Sequence, residues 1–268
     1  MTPLTTPLDH AHAAMRTGAQ AAALQFYRVL ADVTLFVVLE HEAVGEQLVP
    51  KVFDLPDGPV LLAYDSEDRM SALGQDGGQG PLAYAALPGR IVAQQMLQTG
   101  LSLGLNFGTD AASETLLPPE ALIWLCDMLA AKPAEVQATP VQFSKPVGLP
   151  AALGDALRLA FAGAAGMAQA ALLVGVRYLD GRRGHMLAII GAASSAEPAL
   201  ARAMAEALAF SGIEAGELDV TFLGQSDPVL GQIAAVADIF DVPDLTATTT
   251  SADPTPPTRD PNRPPVLR

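Results

Sequence analysis

Cysteine is almost missing from this sequence: Cys126 is the only one in 268 residues, so no disulfide can close within the chain. Histidine is nearly as scarce, with four residues. Two of them, His10 and His12, stand two apart, a spacing that on a helix sends the rings to different faces and does not build a metal site; both are expected to be solvated. Basic residues are few as well, fifteen Lys and Arg against twenty-nine Asp and Glu, for a formal charge of −14. That surplus repels phosphate backbones and anionic lipid surfaces, which makes nucleic acid and membrane poor partners. The opening stretch MTPLTTPLDHAHAAMRTG lacks a basic segment followed by an apolar one, so it does not read as a secretory signal, and a cytoplasmic location is expected.

Apolar residues are abundant, half of the chain, enough for two modest cores and a soluble two-domain protein. One uncharged run, Leu159 to Val176 between Arg158 and Arg177, approaches the length of a membrane span. Its Ala and Gly content and the central Gln169 weaken that reading, and it is taken as a helix end, a turn and a buried strand. Cys126 lies in PPEALIWLCDML, flanked by apolar residues, with Asp127 beside it to raise its pKa, which describes a buried, reduced core thiol and not a nucleophile.

Along the chain, Thr6-Pro7-Leu8-Asp9 forms a capping-box-like helix start, and a second helix is expected over Ala19 to Leu30. TLFVVLE reads as a strand. VPKVFDL and PVLLAYD flank Pro56-Asp57-Gly58 and predict a β-hairpin, because Asp-Gly suits a tight turn with positive φ. A helix from Ser66 to about Leu73 follows, then a glycine-rich loop, a strand in LAYAALPG, a helix over Arg90 to Gln98, a strand in LSLGLNFG and a helix over Pro118 to Ala131. The second half reads as strand, helix, strand, strand, helix, strand, and a last helix over Pro228 to Phe240. This βαββαβ order predicts a ferredoxin-like sheet with helices on one face. The fold class expected is α+β, with two α/β sandwich-like domains at 1–131 and 136–240, a connector at 132–135 and a disordered Pro- and Thr-rich tail at 241–268.

The succession FYRVLADVTLFVVLE, VFDLPDGPVLLAYDSEDRM, YAALPGR, LGLNFG and LLPPEAL resembles the N-terminal domain of SseB-like proteins, named for enhanced serine sensitivity. The second half, with Leu149-Pro150, ALLVGVRYLDG and LAIIG, is similar to the SseB C-terminal domain. Family members commonly carry Leu-Asn-Pro-Gly where this chain has Leu105-Asn106-Phe107-Gly108; the turn is retained through Asn and Gly. The resemblance implies a non-enzymatic, protein-binding or regulatory role, linked to serine sensitivity or sulfurtransferase function, and brings no catalytic residue or cofactor.

Several groups invite chemistry. Asp54, Asp57, Asp65, Glu67 and Asp68 could offer oxygen ligands to a hard cation, but their spacing is not that of a calcium loop. A turn explains Asp57, and a helix start explains Asp65 to Asp68; what remains is an acidic partner surface of Asp57, Asp65, Glu67 and Asp68. Arg177, Arg182 and Arg183 form the one local basic cluster, a hairpin tip where an acidic partner could dock. Gly224-Gln225-Ser226-Asp227-Pro228 imitates a nucleophile elbow, yet Pro228 replaces the second glycine and Asp227 reads as a helix cap. His185, beyond the Arg-Arg-Gly turn, is expected to be solvated. Met96, Met128, Met167 and Met204 are read as packing. The leading expectation is a protein-binding module without metal, cofactor or catalysis. The alternatives are a small-ligand sensor using a groove between domains, and a hydrolase using Ser226 or a metal near Asp65.

Overall fold

The computed structural model describes residues 5–42, 45, 48–56, 58–76, 82–130, 138–212 and 218–244. Helix α1 (Pro7–Met15) opens with the expected capping box, in which the Thr6 hydroxyl accepts from the Asp9 amide while the Asp9 carboxylate accepts from the Thr6 amide. Helix α2 (Gln20–Asp32) leads into β1 (Thr34–Val38). The hairpin of β2 (Val52–Leu55) and β3 (Gly58–Tyr64) forms with Leu55 opposite Gly58. Gly58 takes φ +121°, a conformation open to glycine at little cost; Asp57 lies outside the described residues. Helix α3 (Glu67–Asp76) starts at Ser66, whose hydroxyl accepts the Arg69 amide. It is followed by β4 (Tyr84–Pro88), α4 (Gly89–Met96), β5 (Ser102–Leu105), β6 (Thr115–Leu117) and α5 (Pro119–Ala130).

These strands make one sheet in the order β4-β1-β3-β5-β6, with β2 also on β3. Strands β1 and β2 share one edge of β3 end to end, at Tyr64–Ala63 and at Leu61–Gly58. The other edge takes β5 in parallel. β3 is buried along nearly its whole length, as a strand covered on both faces must be. One face packs on α1, α2, α4 and α5 through Leu8, Phe26, Leu30, Val92 and Leu125; the other packs on Met70 of α3 through Val38, Val60, Leu62 and Tyr64.

The second domain comprises β7 (Pro140–Ser144), α6 (Ala151–Gly163), β8 (Ala170–Tyr178), β9 (Arg183–Ile190), α7 (Glu197–Ala209), β10 (Leu218–Leu223), α8 (Leu230–Ala234) and β11 (Asp238–Asp241). The protein is thus α+β with two sheet-containing domains, as expected. The uncharged run at 159–176 resolves into the end of α6, a turn and β8, and among the described residues no helix is long and apolar enough to cross a membrane.

The ferredoxin-like expectation is corrected. A split βαβ would insert a strand between β7 and β8, whereas these two pair directly and antiparallel. The order is β10-β9-β8-β11, with β7 on the β8 edge. β7 borders residues 175–178 of β8 and β11 borders residues 170–173, so both share that one edge. The helix expected over Pro228 to Phe240 is instead the short α8 followed by β11. Ile239 and Phe240 are β-branched and aromatic, and the open edge of β8 pairs them. Helices α6 and α7 cover one face, but α8 places Ile233 against the other, so the helices do not lie on one face only. The chain stays within the fold to Val242, which is buried, and to Pro243, whose carbonyl accepts the Gly166 amide at 2.8 Å. The expected connector at 132–135 and residues 245–268 of the expected tail lie outside the described residues.

The domains share a core contact. Phe210, just past α7, is buried within the apolar cluster of the first domain, where Arg28 of α2 stacks over its ring.

Candidate functional site

The acidic stretch after β3 does not form an exposed cluster. Asp65 is turned inward, its side chain wholly buried, and accepts from Arg69 at 2.7 Å and from the Thr6 hydroxyl. Its amide donates to Oδ1 of Asn106 at 3.0 Å. The same guanidinium of Arg69 reaches Asp9, whose other oxygen accepts from the Ser113 amide and hydroxyl at 3.0 and 2.6 Å. Nδ2 of Asn106 donates to the Ser113 hydroxyl at 2.8 Å. Asn106 sits at φ +53°, a left-handed conformation that asparagine tolerates better than most residues, and Gly108 follows at φ +73°. Burial alone would raise the Asp9 pKa; the bonds from Arg69, Ser113 and the Thr6 amide outweigh it and hold the carboxyl well below the usual range. A buried pair with every oxygen bonded ties α1, β3, α3 and the turn after β5 together. Asp65 is therefore corrected from a surface residue to an internal one. Glu67 and Asp68 remain exposed, Glu67 accepting from the Tyr84 hydroxyl at 3.0 Å.

The arginine cluster divides between two faces of the second sheet. Arg182 ion-pairs with Asp219 at 3.1 Å and stacks over Tyr178 at 4.3 Å. The Tyr178 hydroxyl donates to the same carboxylate, and burial together with Asp219 pushes its pKa up. Arg177 and Arg183 stand directly opposite each other across the β8–β9 ladder, both exposed. Strand alternation puts Gly175 and His185, the next same-face pair of that ladder, beside them. Among the described residues Arg177 is bonded to a neutral group, the Gln142 side chain, at 3.1 and 3.0 Å. His185 bonds the Val147 carbonyl at 3.0 Å. Val147 and Leu179 are each 75% exposed, so apolar surface lies at the rim of this pair. Gly175 allows the close approach of β7: a Cβ there would lie 2.6 Å from the Ser144 hydroxyl.

At the junction of the domains, Glu206 of α7 is buried and faces Arg28 at 3.7 Å, Arg90 at 3.4 Å and Arg202 at 3.6 Å. Arg90 and Arg28 also pair with Asp32. Beside this cluster is a cavity of about 220 Å³ lined by Arg90, Ile91, Gln94, Cys126, Leu129, Ala130 and Arg202.

Residues 8–124 match the family model for the SseB protein N-terminal domain. The first domain of this chain is SseB-like. The match ends within α5 and leaves the second domain outside it. Nothing among the curated proteins and nothing among the solved structures matches the chain.

Within the SseB domain, His10 is exposed but His12 is not, correcting the expectation that both are solvated. His12 packs on the Phe26 ring at 5.4 Å, and its Nδ1–H donates to the Ala112 carbonyl, because α1 lies against α2 and the loop before β6. Cys126 is half-buried, not core, and burial, followed by Asp127, raises its pKa. In the second domain Ser226 is exposed on its turn, and the histidine of that half is bonded to Val147. Asp227 accepts from the Val229 amide at 3.0 Å, ahead of α8. Met96 and Met204 are core; Met167 is 42% exposed and is corrected from packing to surface. Among the described residues no group of three or more His, Cys, Asp or Glu is placed to hold a metal ion.

Sequence reasoning passed over Arg69, Ser113, Glu206 and Arg90. Arg69 carried a signal: it stands four residues after Asp65, a helical ion-pair spacing, in a stretch otherwise acidic. The others acquire their roles only through contacts distant in sequence.

Proposed function

We propose that this SseB-domain protein is a non-enzymatic binding module that docks an acidic segment of a partner protein on the Arg177–Arg183 face. The observation that carries this reading is the cross-strand arginine pair itself. Like charges directly opposite each other on a sheet cost stability, and here they stand on a chain of net charge −14. A carboxylate-rich segment laid across them relieves that repulsion and forms charge-assisted, two-pronged bonds with guanidinium groups. Exposed Val147 and Leu179 add the apolar contacts that accompany arginine in protein interfaces. The absence of chemistry in this reading is supported by the positions of the catalytic candidates: Ser226 is exposed without a histidine bonded to it, and burial, followed by Asp127, raises the pKa of the Cys126 thiol.

Affinity capture from native extract with the full chain, alongside an Arg177→Glu/Arg183→Glu variant, tests it. Partners recovered by the parent and lost by the variant support the reading. Equal recovery by both proteins, or turnover in a broad hydrolase screen abolished by Ser226→Ala, overturns it.

A further inference from the structure

The cavity at the domain junction has a composition that the partner surface does not use, and it lies on α4, α5 and α7, away from the Arg177–Arg183 face. At about 220 Å³ it is smaller than the roughly 300–1,000 Å³ of pockets for drug-sized ligands, which limits an occupant to a small molecule. Its walls combine apolar Ile91, Leu129 and Ala130 with the Gln94 amide, the Cys126 thiol and the guanidinium groups of Arg90 and Arg202, and no carboxylate is among the described lining residues.

The charges around it do not balance. Among the described residues, Arg28, Arg90 and Arg202 pair with Asp32 and Glu206, so three positive groups meet two negative ones and one positive charge is left over. Arg90 is well satisfied by Asp32 and Glu206. Nη1 of Arg28 is buried with no hydrogen-bond partner, but it does not line the cavity. Arg202 does line it, and is the loosest member: its Nε stays 3.6 Å from Glu206, its Nη2 is 3.4 Å from the Leu129 carbonyl, and its side chain is 62% exposed. Asp127, beside Cys126, is exposed and outside the lining.

We infer that this cavity binds a small monocarboxylic acid with an apolar body, its carboxylate on Arg202 and Gln94 and its apolar part on Ile91 and Leu129. A single negative charge matches the single surplus positive one. A neutral ligand would leave that charge uncompensated, and a multiply charged anion such as phosphate would set further charge against Leu129 and Ile91, where no donor can meet it.

The only cysteine of the chain lies on the cavity wall, so its alkylation reports occupancy without any engineered label. The experiment uses benzoate as probe, with benzamide, acetate and inorganic phosphate as comparisons, read by calorimetry and by the rate of Cys126 alkylation by iodoacetamide at alkaline pH. Benzoate is expected to bind, to outcompete the other three, and to slow alkylation several-fold. Arg202→Gln, a change at an exposed side chain, is expected to weaken benzoate about tenfold or more, the factor attached to a lost hydrogen bond to a charged group. Ala130→Phe, which fills the cavity from an exposed helix end, is expected to abolish both binding and protection. Benzamide binding as well as benzoate, unchanged affinity in Arg202→Gln, alkylation indifferent to saturating benzoate, or no binding at all would overturn the inference. The Arg177→Glu/Arg183→Glu variant should bind benzoate like the parent, so the partner surface and the cavity fail or stand separately.

Discussion

The guanidinium of Arg69 on α3 donates to the carboxylate of Asp9 on α1, bridging 60 residues of chain, and donates at the same time to Asp65. One cation thus holds two buried anions, and the edge of the SseB domain is organised around it.

Replacing Arg69 by Met should leave Asp9 and Asp65 buried without their counter-charge. Breaking a buried pair in this way costs about 3–5 kcal/mol, which urea unfolding would register as a lower midpoint. Arg69→Lys should recover only part of the loss, since an ammonium lacks the planar fork that spans both carboxylates.

The same network sets an acid limit. The Asp9 pKa is depressed in the fold from its ordinary 3.8, so the unfolded chain takes up the proton first. The stabilisation is complete above 3.8 and is lost as pH falls toward the lower folded value. Urea midpoints measured from neutral to acid pH should therefore fall more steeply for the parent than for Asp9→Asn in the region below 3.8.

Gly89 begins α4 against the end of α2, and an added Cβ would sit 1.8 Å from the Leu30 carbonyl oxygen. That contact is with backbone and cannot be relieved by a side-chain rotation, so Gly89→Ala should lower the melting temperature sharply or prevent folding. Gly231→Ala, in open space on α8, should instead be neutral or stabilising by up to about 1 kcal/mol. Thermal unfolding of the two variants makes the comparison.

Phe210 carries the second domain into the core of the first. Truncation to Ala should cost about 3–5 kcal/mol and loosen the coupling between domains. Fluorescence of Trp124, the single tryptophan, reports the first domain, while far-UV circular dichroism reports both. The two curves should coincide for the parent and separate for the variant.

Arg183→Glu would place a carboxylate opposite Arg177. The variant should gain about 0.2–1 kcal/mol from the new cross-strand pair while losing any acidic partner of that face. Chemical unfolding and partner capture on the same sample give opposite signs for stability and binding.

Much of this was legible in short stretches. The Thr6–Asp9 capping box, the hairpin around Gly58 and the turn at Asn106 and Gly108 depend on residues within a few positions of each other, and they appear as read. The last segment misled because helical spacing and β-branched character compete in LGQIAAVADIFDV, and the vacant edge of β8 decides for a strand at Ile239 and Phe240. His12 and Asp65 misled for a related reason. Polar residues near a chain end or a turn usually face water, and only the docking of α1 and α3 on a common sheet encloses these two.

Composition and local pattern by themselves determined the charge that disfavours nucleic acid, the α+β class, the two-domain plan and the likeness to SseB proteins, because each follows from short-range backbone preference and the alternation of apolar residues. Tertiary structure alone decided which charges are spent. Asp65 went to Arg69, Arg182 to Asp219 and Arg90 to Glu206, while Arg177 was left facing Arg183 and Arg202 was left beside a cavity. Pairing energies depend on distance and burial, and those are properties of packed surfaces brought together from remote parts of the chain.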